Sequence, residues 1–94
     1  MEGTMGDVAV WGPYNAQFRA DPPSGWAYCE GQTLEVGQYQ ALYAVIGNAY
    51  GGTSASFRLP DMRDPKNPGY HVGFGATNPC RYVICLFGIY PMRP

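Results

Sequence analysis

Four side chains in this sequence carry the groups of a nucleophilic relay: Ser54 and Ser56 as hydroxyl nucleophiles, His71 as base and Asp61 as the acid that orients it. Such a relay needs its nucleophile held at a fixed angle on a supporting shell. Both serines fall in a glycine-led stretch, Gly51-Gly-Thr-Ser-Ala-Ser56, with no nucleophile-elbow motif around either of them. No enzyme is expected. His71 is the single histidine and no Cys-x-x-Cys pair exists, so a protein-only metal site is not expected; the alternative would gather one His71 from each subunit at a symmetry axis. A surface-loop position is expected for His71, and no catalytic, cofactor or metal residue is assigned.

The cysteines offer redox chemistry. Cys29, Cys80 and Cys85 are an odd number, which allows at most one internal disulfide and leaves one thiol over. Cys29 and Cys85 read as small buried hydrophobes on strands in preference to a disulfide. Cys80, just after Asn78-Pro79, is expected to be the most exposed of the three and is the candidate for a disulfide to another chain.

Other residues suggest recognition or support. Arg58, Asp61 and Arg63 flank Pro60, where an arginine beside a carboxylate can pin a turn through paired hydrogen bonds. Gly51 and Gly52 supply backbone angles that other residues resist. Aromatic residues make up 15% of the chain. Trp26, Tyr39 and Tyr43 are assigned to the core. Tyr50, Tyr70 and Phe74 lie in glycine-rich loops and are the candidates for contact with a partner.

The elements that must position these residues are short. Thirteen glycines and nine prolines in 94 residues force turns at close intervals. Val8 to Trp11 and Trp26 to Cys29 read as strands. Between Gly37 and Gly47, Tyr39, Leu42, Tyr43 and Ile46 fall on one apolar stripe, which predicts an amphipathic helix of about three turns, with Gly37 at its N-cap and Gly47 at its C-terminal end. From Gly51 to Gly75 the reading is an ordered loop, because Pro60, Pro65 and Pro68 argue against a central strand. Arg81 to Phe87, apolar on both faces, reads as a buried strand covered on one side by the helix.

Composition narrows the partners. A formal net charge of −1, with no basic stripe to follow phosphates, argues against nucleic acid. The longest apolar run is far shorter than the roughly 20 residues that cross a bilayer, and the N-terminus does not read as a secretory signal. A chain this short has a thin core, and its low charge leaves neutral surface for a partner to cover.

The stretch "GWAYCEGQTLEVGQYQALYAVIGNAYGG" followed by "FRLPDMR" resembles the phage tail collar domain, a family of bacteriophage tail-fibre and baseplate proteins that also includes bacterial microcystin-dependent proteins. Its pattern is met by Gly25, Trp26, Cys29, Glu30, Gly31, Gln32, Gln40, Ala41, Leu42, Tyr43, Ile46, Gly47, Tyr50, Gly51, Gly52, Phe57, Leu59, Pro60, Asp61 and Arg63. Within it, Trp26, Cys29, Gly31, Gly51, Gly52, Leu59, Pro60, Asp61 and Arg63 are taken as the structural signature. "GDVAVWG" and "RYVICLFGIYPMRP" resemble the family's first and closing strands, while the long variable region that usually precedes the last strand is largely missing.

The resemblance implies an α+β fold: one small compact domain over residues 1–94, of short β-strands with one amphipathic helix and long ordered Gly/Pro-rich loops. The core motif covers 25–63 and the closing strand 81–90. It implies a non-enzymatic structural protein of the phage virion, made in the bacterial cytoplasm. Such a protein self-associates, with a homotrimer favoured, and binds other tail or baseplate proteins, aiding fibre attachment or host adhesion. No cofactor, nucleic acid or membrane is implied. The alternative is a receptor-binding module that recognises a host cell-surface glycan or protein through its aromatic loops; a bacterial protein derived from phage would share the fold without a virion.

Overall fold

Strand β7, Arg81–Cys85, alternates its side chains between two apolar environments, and the rest of the fold is arranged around that fact. Tyr82 and Ile84 face one core cluster, while Val83 and Cys85 face the other. A strand apolar on both faces must be covered on both, so it belongs in the middle of a sheet. The computed structural model, which describes residues 3–12 and 21–91, places it there. β1, Val8–Trp11, runs antiparallel along one side in the register Val8↔Ile84 to Trp11↔Arg81. β2, Trp26–Tyr28, runs antiparallel along the other, pairing Trp26 with Cys85 and Tyr28 with Val83.

The larger core lies on the Ile84 face, where Met5, Cys29, Leu42, Phe57 and Leu59 join it. Leu42 comes from α1, Gln40–Ile46, and is the buried residue of that helix, with Tyr39, Tyr43 and Ile46 half-buried beside it. The predicted stripe therefore faces the core. The helix is about two turns long, shorter than predicted, and its N-cap is Tyr39, not Gly37. The reason is local: the N–H groups of Gln38 and Tyr39 turn back onto the carbonyls of Glu35 and Val36, so that stretch is spent in a turn. Gly47 closes the helix as expected, donating its N–H to the Tyr43 carbonyl at 2.7 Å.

Between Gly51 and Gly75 the structure differs from the loop that was expected. β3, Thr33–Glu35, pairs antiparallel with β4, Ser56–Arg58, in the register Leu34↔Phe57. β5, Arg63–Asp64, pairs with β6, Asn67–His71, through an irregular two-stranded ribbon. Pro68 sits within β6 because that strand has a backbone partner on one side only, the situation in which a missing N–H costs no ladder bond. β7 ends at Cys85, short of the expected Phe87, and the chain beyond it is held through a parallel bridge from Ile89 to Thr4.

Candidate functional site

The two halves of the motif, around Cys29-Glu-Gly-Gln32 and Leu59-Pro-Asp-Met62, are hydrogen-bonded to each other. Leu59 N–H donates to the Gln32 carbonyl, Gly31 N–H to Pro60 and Met62 N–H to Cys29, at 2.9, 3.2 and 2.8 Å, with an antiparallel bridge between Glu30 and Asp61. Gln32 braces the turn from within, its side-chain oxygen accepting from Glu30 N–H and its amide donating to the Tyr28 carbonyl. Burial fastens the seam: Cys29, Phe57 and Leu59 have essentially no exposed surface.

Charge completes the corner. Asp61 accepts from the Arg63 guanidinium through both oxygens, at 2.9 and 2.8 Å, and from the Arg63 backbone N–H at 3.1 Å. These bonds hold its carboxyl down at about 2. Arg58, the third charged residue of the group, donates to the Gly31 carbonyl, and its charge also favours the ionised Asp61.

The Gly51-Gly52 pair lies flat against β4. Arg58 N–H donates to the Gly51 carbonyl at 3.0 Å and Thr53 N–H to Ser56 at 2.6 Å, so β4 is paired on its second side by the glycine stretch. A Cβ on Gly52, whose φ is +118°, would meet the Ser56 carbonyl oxygen and stand 2.6 Å from the Phe57 Cα. Glycine is there because backbone passes over backbone.

The four residues of the imagined relay are not brought together as one. Ser54 is exposed, and Ser56 lies on β4 with its backbone tied to Thr53. Asp61 is held by Arg63. His71, expected on a surface loop, is wholly buried at the end of β6, because its ring fills the space between β6 and β7: Nδ1 accepts the Tyr82 N–H at 2.9 Å and Nε2 faces Glu30 Oε2 at 3.5 Å. Arg81 meets the same Glu30 oxygen at 3.3 Å and lies over the Tyr28 ring. Sequence reasoning missed this His71, Glu30, Arg81 and Tyr28 group, since only the approach of β6 to β7 unites residues so far apart along the chain. Among the described residues, no three His, Cys, Asp or Glu side chains converge in the manner of metal ligands, and no helix is long and apolar enough to cross a membrane.

Of the candidate contact residues, Tyr50 is exposed, while Tyr70 and Phe74 are half-buried and Phe74 packs against the Tyr82 ring at 5.4 Å. More apolar surface is uncovered after β7, where Phe87, Ile89 and Tyr90 are 60%, 65% and 52% exposed. Phe87, read as part of a buried strand, instead lies beyond the strand's end and stacks on Tyr39. Val8 and Val10 are exposed on the outer strand β1. Cys29 and Cys85 are buried and Cys80 is partly exposed, its thiol directed to Asn78; all three are free thiols.

The family model of the phage tail collar domain matches residues 8–65, more than half of the chain and the whole of the seam just described. The chain belongs to the phage tail collar domain family. This collar domain is therefore a structural domain of tail-fibre type, a kind not known as enzymatic. It is also similar to Protein RhiB of Rhizobium leguminosarum bv. viciae, with 38% identity over 55 residues, 54% of this chain and 25% of RhiB. The collar domain thus matches about a quarter of the length of that curated relative.

Proposed function

We propose that this chain is a non-enzymatic assembly module of a phage tail, in the fibre, collar or baseplate, which joins copies of itself and neighbouring tail proteins by adhesion. In this reading residues 1–94 act as one domain, the assembly is a homotrimer, and the module aids fibre attachment or host adhesion. The observation that carries it is the uncovered apolar surface of Phe87, Ile89 and Tyr90, set on a backbone tied to the N-terminal segment by Met5 N–H to Ile89 O and Ile89 N–H to Gly3 O. Exposed apolar side chains on a held backbone can bind without a large ordering cost.

Light scattering of the purified chain tests this. The expected molar mass is three times that of the chain, falling to that of a monomer when Phe87 and Ile89 are both replaced by serine while the circular dichroism spectrum is retained. A parent chain that is monomeric both alone and when co-produced with tail proteins would defeat the proposal. A second reading, recognition of a host glycan or protein through Tyr50, Tyr70 and Phe74, has the exposure of Tyr50 in its favour. It predicts that Tyr50→Ala, Tyr70→Ala and Phe74→Ala abolish cell attachment and leave assembly intact.

A further inference from the structure

His71 is buried among groups of both charges, and its hydrogen bonding defines its protonation state. Because Nδ1 accepts the Tyr82 backbone N–H at 2.9 Å, that nitrogen carries no proton in the folded chain. The ring proton sits on Nε2, which has no hydrogen-bond partner within ordinary geometry and faces the Glu30 carboxylate at 3.5 Å. Arg81 on β7 shares that carboxylate, Asp61 lies across the bridge from Glu30, and Arg63 is the β5 residue paired with His71. The rings of Tyr28 and Tyr82 enclose the imidazole edge-on and stacked, with centroids at 6.4 and 6.1 Å.

We propose that His71 is an acid-released latch between β6 and β7. Neutral, it fastens the two strands through Nδ1. When Nδ1 takes a proton from solvent, the acceptor becomes a donor that faces the Tyr82 N–H, and the bond between the strands is lost. The contact between β6 and β7 then loosens at His71 and makes Tyr28, Tyr82 and Phe74, which pack around this bond, more accessible. Opening is confined to the surroundings of His71, since the Met62 N–H to Cys29 carbonyl bond, beside the Arg63–His71 pair, and the bond from Arg81 to the Gly69 carbonyl do not depend on its protonation and still hold the ribbon to the sheet.

The electrostatics agree with that geometry. Burial, the largest influence, and Arg81 disfavour the imidazolium, while Glu30 and Asp61 favour it, and the balance lowers the His71 pKa below its ordinary value. A histidine harder to protonate when folded contributes stability that is complete above about pH 6.5, the unfolded value, and is lost as the pH falls below it.

Nuclear magnetic resonance of the parent chain with a 15N-labelled imidazole tests the latch. The expected result is an Nε2–H tautomer at about pH 7.5 and a protonation midpoint below about 6.5. Protonation should remove the protection factor of the Tyr82 amide and lower the folding constant by up to about tenfold per pH unit. His71→Asn, whose side-chain oxygen can accept the same N–H without titrating, should keep that amide protected down to about pH 5. An Nδ1–H tautomer, a midpoint at or above 6.5, or Tyr82 protection that persists once His71 is charged would overturn the latch. If the asparagine variant does not fold, the parent spectra decide alone.

Discussion

The Nε of Arg58 donates to the carbonyl of Gly31 at 3.1 Å, joining residues 27 positions apart. It is the side-chain stitch of the seam that the backbone bonds of Gly31 and Leu59 also close. Gly31 itself has φ +73°, and a Cβ there would stand 3.2 Å from Arg58 Nη2 and 3.3 Å from Asp61 Cβ. Gly31→Ala is therefore expected to destabilise the fold by roughly 1–3 kcal/mol. Gly37→Ala, with open space around it, should be neutral or stabilising by up to about 1 kcal/mol. Urea denaturation midpoints compare the two directly; equal midpoints would refute the role given to Gly31.

The glycine pair yields a graded comparison. At Gly51 a new Cβ would stand 3.3 Å from the Arg58 Cδ, a side-chain atom that can give way, whereas at Gly52 it would strike the backbone of Ser56 and Phe57. Gly52→Ala should cost roughly 3 kcal/mol or more, and Gly51→Ala roughly 1–2 kcal/mol for its backbone angle. Thermal denaturation of both variants checks the order, which would be reversed if the Gly51 angle mattered more than the Gly52 contact.

Much of this architecture was legible in the residues. β1 lies where Val8-Ala-Val-Trp11 predicted it, β2 starts at Trp26, and the helical stripe faces the core. β4 was hidden by its glycine and serine neighbours, although Phe57 and Leu59 alternate with half-buried Ser56 and exposed Arg58 in the two-residue period of a strand. Pro68 concealed β6, because a proline rules out a central strand and not a one-sided ribbon. The burial of His71 had no local signal at all. Its environment is assembled from Glu30, Arg81 and Tyr82 by tertiary contact, which no window along the chain contains.

Acid should reveal Asp61. Its carboxyl is held at about 2 by the Arg63 side chain, then by the Arg63 backbone N–H, so the ionised form is favoured in the folded state. The sign follows: this stability is complete above about pH 3.9, the unfolded value, and is lost as pH falls toward 2. Asp61→Asn should flatten the stability curve across that window, and added salt should shrink the difference because the pair is exposed. A variant curve parallel to the parent's would contradict this assignment. The Asp61 loss begins only below about pH 3.9, whereas the His71 loss begins at about 6.5, so the Asp61→Asn and His71→Asn variants assign the two effects.

Thiol reactivity should follow burial. Burial, aided by neighbouring Glu30, pushes the Cys29 thiol up to about 12, and burial also raises Cys85, so neither supplies thiolate at neutral pH. An alkylating agent applied to the folded chain should modify Cys80 alone, and all three cysteines after denaturation, as counted by mass spectrometry. Rapid modification of Cys29 in the folded chain would show that the core around it opens.

The position of β7 has a consequence for how the chain acquires its shape. Both outer strands of the central sheet are synthesised before the strand that pairs with them, so β1 and β2 leave the ribosome without a partner and stay exposed until Arg81–Cys85 emerges. Pairings this distant along the chain are slow to form. The sheet therefore closes late, in one step that also seals both apolar clusters, and a chain halted before β7 would present unpaired strand edges to chaperones and proteases instead of a partly finished domain.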